Sequence, residues 1–182
     1  VAGPTLNVFN GHTLKLLADC GATRWVMPPE IGRAALAGIR ADIRSWANGG
    51  VESEVFAHGR LPLAYSARCF TARRYRLQKD SCEFRCIEFP DGLTLKTREG
   101  EAFLTINGIQ TQSAKVYHLE RELPELVAAG VDLIRVSPQS DGMPALIAAY
   151  RRLLDGQPAE MPAGDYCNGF WYDRPGLEMV AA

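Results

Sequence analysis

Short apolar runs alternate with amphipathic segments along this chain, which predicts strands that are followed by helices. The apolar runs, bounded by Gly and Pro, predict four main strands at residues 6–9, 24–27, 51–58 and 131–136. Apolar residues at helical spacing predict helices at 12–22, 31–46, 117–129 and 144–154. Strands and helices that alternate through short connections are typical of a parallel sheet or barrel, so we expect an α/β fold.

The middle of the chain interrupts this alternation. Two segments, at 93–97 and 102–106, contain apolar residues that alternate with polar ones or follow one another. A polar stretch separates them, which predicts a β-hairpin. Residues 108–113 are polar and begin with Gly, which indicates a turn. We therefore expect an insertion that lies over the rim of the main sheet.

Three of the five cysteines, Cys69, Cys82 and Cys86, lie within 18 residues in a C-x12-C-x3-C pattern. Thiolates bind soft metals and iron–sulfur clusters, and the surrounding arginines and lysine favour the thiolate form. The pattern favours metal or cluster ligation over inert buried thiols or a disulfide pair. The spacing matches neither common zinc ribbons nor two-cluster ferredoxins, so it does not identify the metal. Cys20, in a predicted helix, is interpreted as a packing residue.

A second candidate site lies on the strand at 51–58. Because alternate side chains of a strand share a face, Glu54, Phe56 and His58 should point the same way. The carboxyl ends of strands are where parallel α/β folds place their chemistry, so Glu54 and His58 are candidate catalytic residues. An ordinary polar strand end or a helix-capping network explains the same two residues equally well.

Composition excludes some classes of function. A formal net charge of −1 argues against a general binder of nucleic acid or anionic membranes. No run approaches the roughly 20 apolar residues of a membrane-spanning helix. Five cysteines, an odd number, suit a reducing compartment better than a disulfide framework, so we expect a cytoplasmic protein.

The segment before the cysteines resembles a known family. The runs EVFAHG and YSARC resemble the signature of the collagenase-like (U32) peptidase family. The finer similarity is to the branch of that family that acts in oxygen-independent ubiquinone biosynthesis. It is carried by the cysteine spacing and by HGRLPLAYSARCFTAR, FPDGLTLKTREGEAFLTINGIQTQS and YCNGFW. Pro62 stands where many relatives carry a cysteine, as is typical of that branch.

The resemblance implies an architecture. Family members look like TIM-type (βα) barrels, and the four strands predicted here are about half of the eight in such a barrel. We therefore expect residues 1–156 to form the second half of a TIM-like barrel, with the cysteine loop and hairpin inserted at 59–107. Residues 157–182 are expected to form a tail that packs on the barrel or on a partner.

The resemblance also implies a cofactor and a partner. It implies a 4Fe–4S cluster with Cys69, Cys82 and Cys86 as three ligands, and a fourth cysteine upstream of Val1. It implies a UbiU-like homologous subunit as partner in a heterodimer. The substrate would be a ubiquinone precursor, with prephenate in place of dioxygen as the source of the hydroxyl oxygen.

Three other functions remain open. The chain resembles RNA-hydroxylating members of the same family, although its near-neutral charge argues against that function. A peptidase is suggested by the family name, but the sequence has no HExxH zinc motif and no evident Ser-His-Asp arrangement. A scaffold subunit that carries a cluster without the reacting site is the non-enzymatic alternative.

Overall fold

The computed structural model describes residues 1–46 and 50–181, which form a mixed α/β fold with an open sheet. The strands are β1 (Arg24–Val26), β2 (Glu52–Tyr65), β3 (Leu93–Lys96), β4 (Ala102–Asn107), β5 (Gln110–His118), β6 (Leu133–Val136) and β7 (Tyr166–Cys167). The α-helices are α1 (Gly11–Asp19), α2 (Arg33–Ser45), α3 (Phe70–Arg74), α4 (Leu123–Ala128) and α5 (Met143–Leu154). Short 3-10 helices cover Pro4–Leu6, Lys79–Ser81, Arg85–Glu88 and Gly169–Tyr172.

Strand β2 organises the sheet because it pairs with three other strands. Its first half lies parallel to β1 and β6, and its second half lies antiparallel to β5. Strand β5 continues into the antiparallel strands β4 and β3, and β7 adds to β5 in parallel. One continuous strand of 14 residues therefore joins a parallel βα part to an antiparallel extension.

Most of the predicted elements are confirmed with ends that shift by a few residues, except that β2 continues seven residues beyond position 58, to Tyr65. Residues 53–59 of β2 are all buried, as expected for a strand that is covered on both faces. Leu36, Ile39 and Ile43 place one stripe of α2 in the same core. The strands at 24–27, 51–58 and 131–136 and the helices at 12–22, 31–46 and 144–154 are all found. Strands β3 and β4 form the antiparallel pair that the alternation predicts.

The predicted strand at residues 6–9 is wrong. Pro4–Leu6 forms a 3-10 helix, and Asn7 follows with a left-handed backbone (φ 55°), which interrupts any extended run. Ala2 makes a single parallel bridge to Trp25 instead. Val8 is nevertheless buried, so its apolar character reflects packing and not pairing in the sheet.

The region 108–129 differs most from its prediction. The sequence predicts a polar turn at 108–113 and a helix at 117–129, whereas Gln110–His118 is strand β5 and the helix is only Leu123–Ala128. A proline is tolerated only in the first turn of a helix, so α4 begins one residue before Pro124. The polar Gln110 and Gln112 pair with strands on both sides. Pairing with distant strands therefore overrides local polarity.

The described part of the C-terminal segment, residues 157–181, packs on the sheet and on α4. Strand β7 lies beside β5, and Cys167 and Trp171 are buried in the common core. The buried side chain of Asn168 donates to Glu122 Oε1 (2.9 Å) and to the Val180 carbonyl (3.1 Å). Its Oδ1 accepts from the Val180 amide (2.7 Å). The side-chain amide of Asn168, which follows β7, thus connects Glu122, the residue before α4, with Val180 near the C-terminus.

Within residues 1–46 and 50–181, no helix has both the length and the apolar character that crossing a membrane requires. Helix α2, for example, has 13 residues, whereas a span needs about 20.

We expect Asn168→Ala to destabilise the fold, because it leaves Glu122 and both polar backbone groups of Val180 without this partner. The free energy of unfolding should fall by about 1–3 kcal/mol, measured by urea denaturation. Asn107→Ala is the matched control, since the Asn107 amide donates only a solvent-exposed bond to Pro90 (3.2 Å). Equal losses for the two variants would contradict this role for Asn168.

Candidate functional site

The three clustered cysteines lie on short helical turns that follow the end of β2. Cys69 is the N-cap of α3, and its Sγ accepts from the Ala72 amide at 3.5 Å. Cys82 directly follows the 3-10 helix Lys79–Ser81, and Cys86 lies within Arg85–Glu88. All three side chains are partly exposed. We call residues 66–92 the cysteine loop.

The cysteine loop folds back on itself. Helix α3 contacts the 3-10 helix that contains Cys86. The rings of Tyr75 and Phe89 stack with centroids 6.0 Å apart, and the Arg85 guanidinium lies 5.0 Å from the centre of the Tyr75 ring. The turn that Cys69 caps and the turn that holds Cys86 are therefore neighbours.

Residues Glu83 and Phe84, between the last two cysteines, both have positive φ angles, of 53° and 51°. A left-handed conformation costs a non-glycine residue of order 1 kcal/mol. Burial does not offset this cost, because Phe84 is 72% exposed and the nearby Ile87 is 76% exposed. Cys82 and Cys86 consequently lie on two separate turns and do not share one regular helical turn.

The thiols suit cluster ligation chemically, but they do not converge on one point. Among the described residues, no three His, Cys, Asp or Glu side chains are close enough together to hold a metal ion. Three thiols on adjoining turns nonetheless form the donor set that iron–sulfur clusters use, and one more ligand would complete the usual four. The residues present therefore fit such a cluster in chemical type.

The surroundings of Cys69 are cationic. A surface cavity of about 580 Å³ is lined by Arg68, Cys69, Ala72, Arg73, Arg76 and Leu77. Arg85 pairs with Glu88 at 2.9 Å, but the three arginines of the cavity form no ion pair with any residue that the structure describes. The cavity therefore presents positive charge to an anionic ligand.

The other two cysteines are separate from the cysteine loop. Cys20 is exposed after α1, so its interpretation as a packing residue is wrong. Cys167 is fully buried in β7, and burial raises the pKa of its thiol to about 11. A neutral, buried thiol suits packing better than ligation.

Glu54 is held between two parallel strands. Its Oε1 accepts from Arg135 Nε of β6 (2.5 Å), and its Oε2 lies 3.6 Å from an Arg24 nitrogen of β1. Two guanidinium groups thus neutralise one nearly buried carboxylate. This arrangement fastens β1 and β6 to β2.

His58 belongs to a largely buried cluster of aromatic side chains. Its Nδ1 lies 3.0 Å from Nδ1 of His118, the residue opposite it on β5. The hydroxyl of Tyr150, from α5, lies 3.3 Å from the same His118 nitrogen and donates to the Ala57 carbonyl at 3.1 Å. Tyr166 of β7 stacks on the His118 ring with centroids 4.2 Å apart. We call these four residues, His58, His118, Tyr150 and Tyr166, the histidine cluster.

The contacts of His118 determine the positions of its protons. Its Nε2 lies 3.3 Å from Glu120 Oε2, and a carboxylate can only accept, so Nε2 carries the proton. In a neutral ring the Nδ1 of His118 is then an acceptor, and His58 donates to it through Nδ1–H. Burial lowers the pKa of His58 to about 4, with a smaller contribution from His118. Burial likewise lowers the pKa of His118, so both rings are neutral near pH 7.

The family assignment rests on a match that covers most of the chain. The model of peptidase family U32 matches residues 2–166. The chain belongs to peptidase family U32. No solved structure matches the chain of this U32 protein.

The structure of this U32 chain does not bring all the predicted site residues together. Cys69, Cys82 and Cys86 share one folded loop, whereas Glu54 and His58 lie in β2 and have no common partner. The pairing of β2 with β6 is irregular between Phe56 and His58, so strict alternation does not extend from Glu54 to His58. The catalytic role of these two residues stays a prediction.

Sequence reasoning missed the partners of His58. His118 was predicted to lie near the start of a helix, and Tyr150 and Tyr166 gave no local signal of chemistry. The available signal was the set of β-formers Thr111, Val116 and Tyr117, which favours a strand up to His118.

The histidine cluster should make stability depend on pH. Since the pKa of His58 falls from 6.5 to about 4 on folding, the unfolded chain binds more protons within this window. The contribution of neutral His58 to stability should therefore be fully present above pH 6.5. The free energy of unfolding should fall by roughly 1–3 kcal/mol as the pH is lowered from 6.5 towards 4. Urea denaturation at stepped pH values measures this slope.

His58→Asn should flatten the slope, and His12→Asn, an exposed change on α1, should leave it unchanged. The Asp and Glu side chains also make the free energy of unfolding depend on pH, but they do so equally in wild type and in both variants. The difference between the slopes therefore isolates the histidine. An identical slope in wild type and His58→Asn would show that His58 is not the responsible group.

Proposed function

We propose that this chain is a UbiV-like iron–sulfur subunit of an oxygen-independent hydroxylase that acts on a ubiquinone precursor. The observation that carries the proposal is the C-x12-C-x3-C pattern on one folded-back, cationic loop within a U32 chain. The motifs HGRLPLAYSARCFTAR and YCNGFW, which resemble that branch of the family, add support.

Cys69, Cys82 and Cys86 would hold a 4Fe–4S cluster. When bound, such a cluster supplies one-electron transfer. Cys20, which follows α1, and the buried, neutral thiol of Cys167 both lie outside the cysteine loop. The fourth ligand would come from a segment outside this loop.

The chain's own side chains would bind and orient the reactants. Arg68, Arg73 and Arg76 line the cavity beside Cys69, and guanidinium groups bind carboxylates through paired hydrogen bonds. Prephenate, the proposed source of the hydroxyl oxygen, carries two carboxylates, so this cavity is the proposed place for it. Glu54 is already neutralised by two arginines, which favours a structural role for it over proton transfer.

We also propose that residues 1–156 form the second half of a TIM-like barrel and that 59–107 is an insertion in it. Support comes from β1, β2 and β6, which are parallel and are accompanied by α2 and α5. A UbiU-like partner is supported by the open sheet, whose edges leave backbone groups for pairing. Residues 157–182 would pack on the barrel or on that partner.

The cluster proposal predicts a specific pattern of iron loss. Anaerobic reconstitution of the full-length protein should give about four irons and four sulfides per chain. Replacing Cys69, Cys82 or Cys86 with Ala should remove most of the iron, whereas Cys20→Ala should remove none. Iron and sulfide assays with visible spectra measure this. Stoichiometric zinc without iron uptake, or equal losses in all four variants, would contradict the proposal.

One observation favours an RNA-hydroxylating relative as a second candidate. The exposed arginines around Cys69 could contact phosphates as well as carboxylates. A peptidase has less support, because no hydrogen bond between described residues joins a histidine to a serine, threonine or cysteine.

A gene deletion separates these functions. If the proposal holds, deletion should abolish ubiquinone synthesis without oxygen and leave aerobic synthesis normal. A Cys82→Ala gene should fail to restore the anaerobic pathway, and a Cys20→Ala gene should restore it. An RNA-modifying enzyme would instead leave quinone unchanged and lose a hydroxylated nucleoside. Normal anaerobic quinone in the deletion strain would refute the proposal.

A further inference from the structure

A second cavity lies beside the histidine cluster and the loop between β5 and α4. It has a volume of about 250 Å³. Its lining combines two carboxylates, one guanidinium, one imidazole, one phenol ring and apolar side chains. These are His118, Glu120, Arg121, Glu122, Met161, Pro162, Tyr166 and Met179.

Glu122 is the unusual member of this lining, because it is an acidic side chain that is only 3% exposed. Its Oε1 accepts from Asn168 Nδ2 and from the Tyr172 hydroxyl, both at 2.9 Å. Its Oε2 has no hydrogen-bond partner, and the side chain has no cationic partner, among the described residues. Burial and the bond to Glu122 raise the pKa of Tyr172 to about 12, so that hydroxyl keeps its proton as a donor. A buried carboxylate normally has a counter-charge, but no cation among the described residues forms an ion pair with Glu122.

The charged side chains that line the cavity favour a ligand with a single positive charge. Glu120 contributes a second carboxylate, whose Oε2 lies 3.3 Å from His118 Nε2. Arg121 is exposed and forms no ion pair with a described residue, so it contributes one positive charge at the rim. Two carboxylates and one guanidinium give the lining a formal net charge of −1.

The uncharged part of the lining indicates what kind of cation fits. No three ligating side chains among the described residues are arranged to hold a metal ion, so a bare metal does not suit the site. Met161 and Met179 offer soft apolar contacts to a short alkyl chain, and the Tyr166 ring lines the same cavity.

We infer that this cavity, which we call the Glu122 pocket, binds a small organic ammonium ion, with the ammonium at Glu122 and the alkyl part between the two methionines. The inference does not rest on the proposed function. Amine binding and iron loading involve different residues and are measured separately, so either can fail without the other.

The probe is n-butylammonium, with n-butanol and butyrate as neutral and anionic probes of similar size. Isothermal calorimetry and ligand-detected NMR on the full chain at neutral pH should show saturable binding of butylammonium at millimolar concentration or below. Butanol and butyrate should bind at least tenfold more weakly. Binding of butanol as strong as that of butylammonium, or no butylammonium binding at all, would overturn the inference. Butylammonium would fail to bind if Arg121 itself neutralised Glu122.

Glu122→Gln removes the charge at nearly constant shape and should weaken butylammonium binding about tenfold or more, as expected for loss of a charged hydrogen-bond acceptor. Glu101→Gln, an exposed change in the turn between β3 and β4, is its matched control. Because Glu122→Gln could also loosen the C-terminal segment, Met179→Lys provides a second test. Met179 is exposed at the rim, and a lysine there should compete for the pocket.

Ile147→Lys adds the same charge at an exposed position of α5 outside the pocket and should leave binding unchanged. Circular dichroism establishes which variants are folded. Undiminished affinity in either folded pocket variant overturns the inference. Loss in both, with normal binding in both controls, supports it.

Discussion

The constraint on which this fold depends is the need to pair the backbone of a strand that is buried along half its length. Residues 53–59 of β2 are out of water, so their amides and carbonyls must find partners on both sides. The partners change along the strand, from β1 and β6 to β5. Glu54 reinforces the first half through Arg24 and Arg135, and the second half leads directly into the cysteine loop. The position of every candidate site residue therefore follows from β2.

The change of partners occurs at His58 and Gly59, and only glycine fits the second position. Gly59 has φ of +128°, and a Cβ there would lie 2.5 Å from the Cβ of Ser137. The Ser137 amide donates to the His58 carbonyl at 2.7 Å, so β6 ends against this point. His58 then faces His118 of β5, and the two rings are buried where the two halves of the sheet meet. The HG pair in the sequence is thus explained by geometry, whether or not His58 takes part in a reaction.

Local sequence patterns predicted the elements whose environment is uniform along their length. The apolar stripe of α2 and the buried run of β2 belong to this group, as do the clustered cysteines, whose spacing is visible without any structure. Sequence reasoning failed where the partner is distant. The polar residues Gln110 and Gln112 do not signal a strand locally. They lie in β5 because they pair with residues of β2 that are 45 or more positions away in the sequence. His118 meets His58 across 60 residues, and no periodicity in either segment signals that contact.

The two chemical regions of the molecule differ in what holds them in place. The histidine cluster is surrounded by β2, β5, β7 and α5, and each polar contact is made by a side chain whose own strand or helix is fixed by the core. The cysteine loop has exposed apolar side chains at Phe84 and Ile87 and three left-handed non-glycine residues, Arg76, Glu83 and Phe84, with few buried groups to offset them. Its opening free energy should be lower than that of the sheet. Because ligands that bind only the ordered form add their binding energy to its stability, any metal held by Cys69, Cys82 and Cys86 would order the loop as well as supply its chemistry.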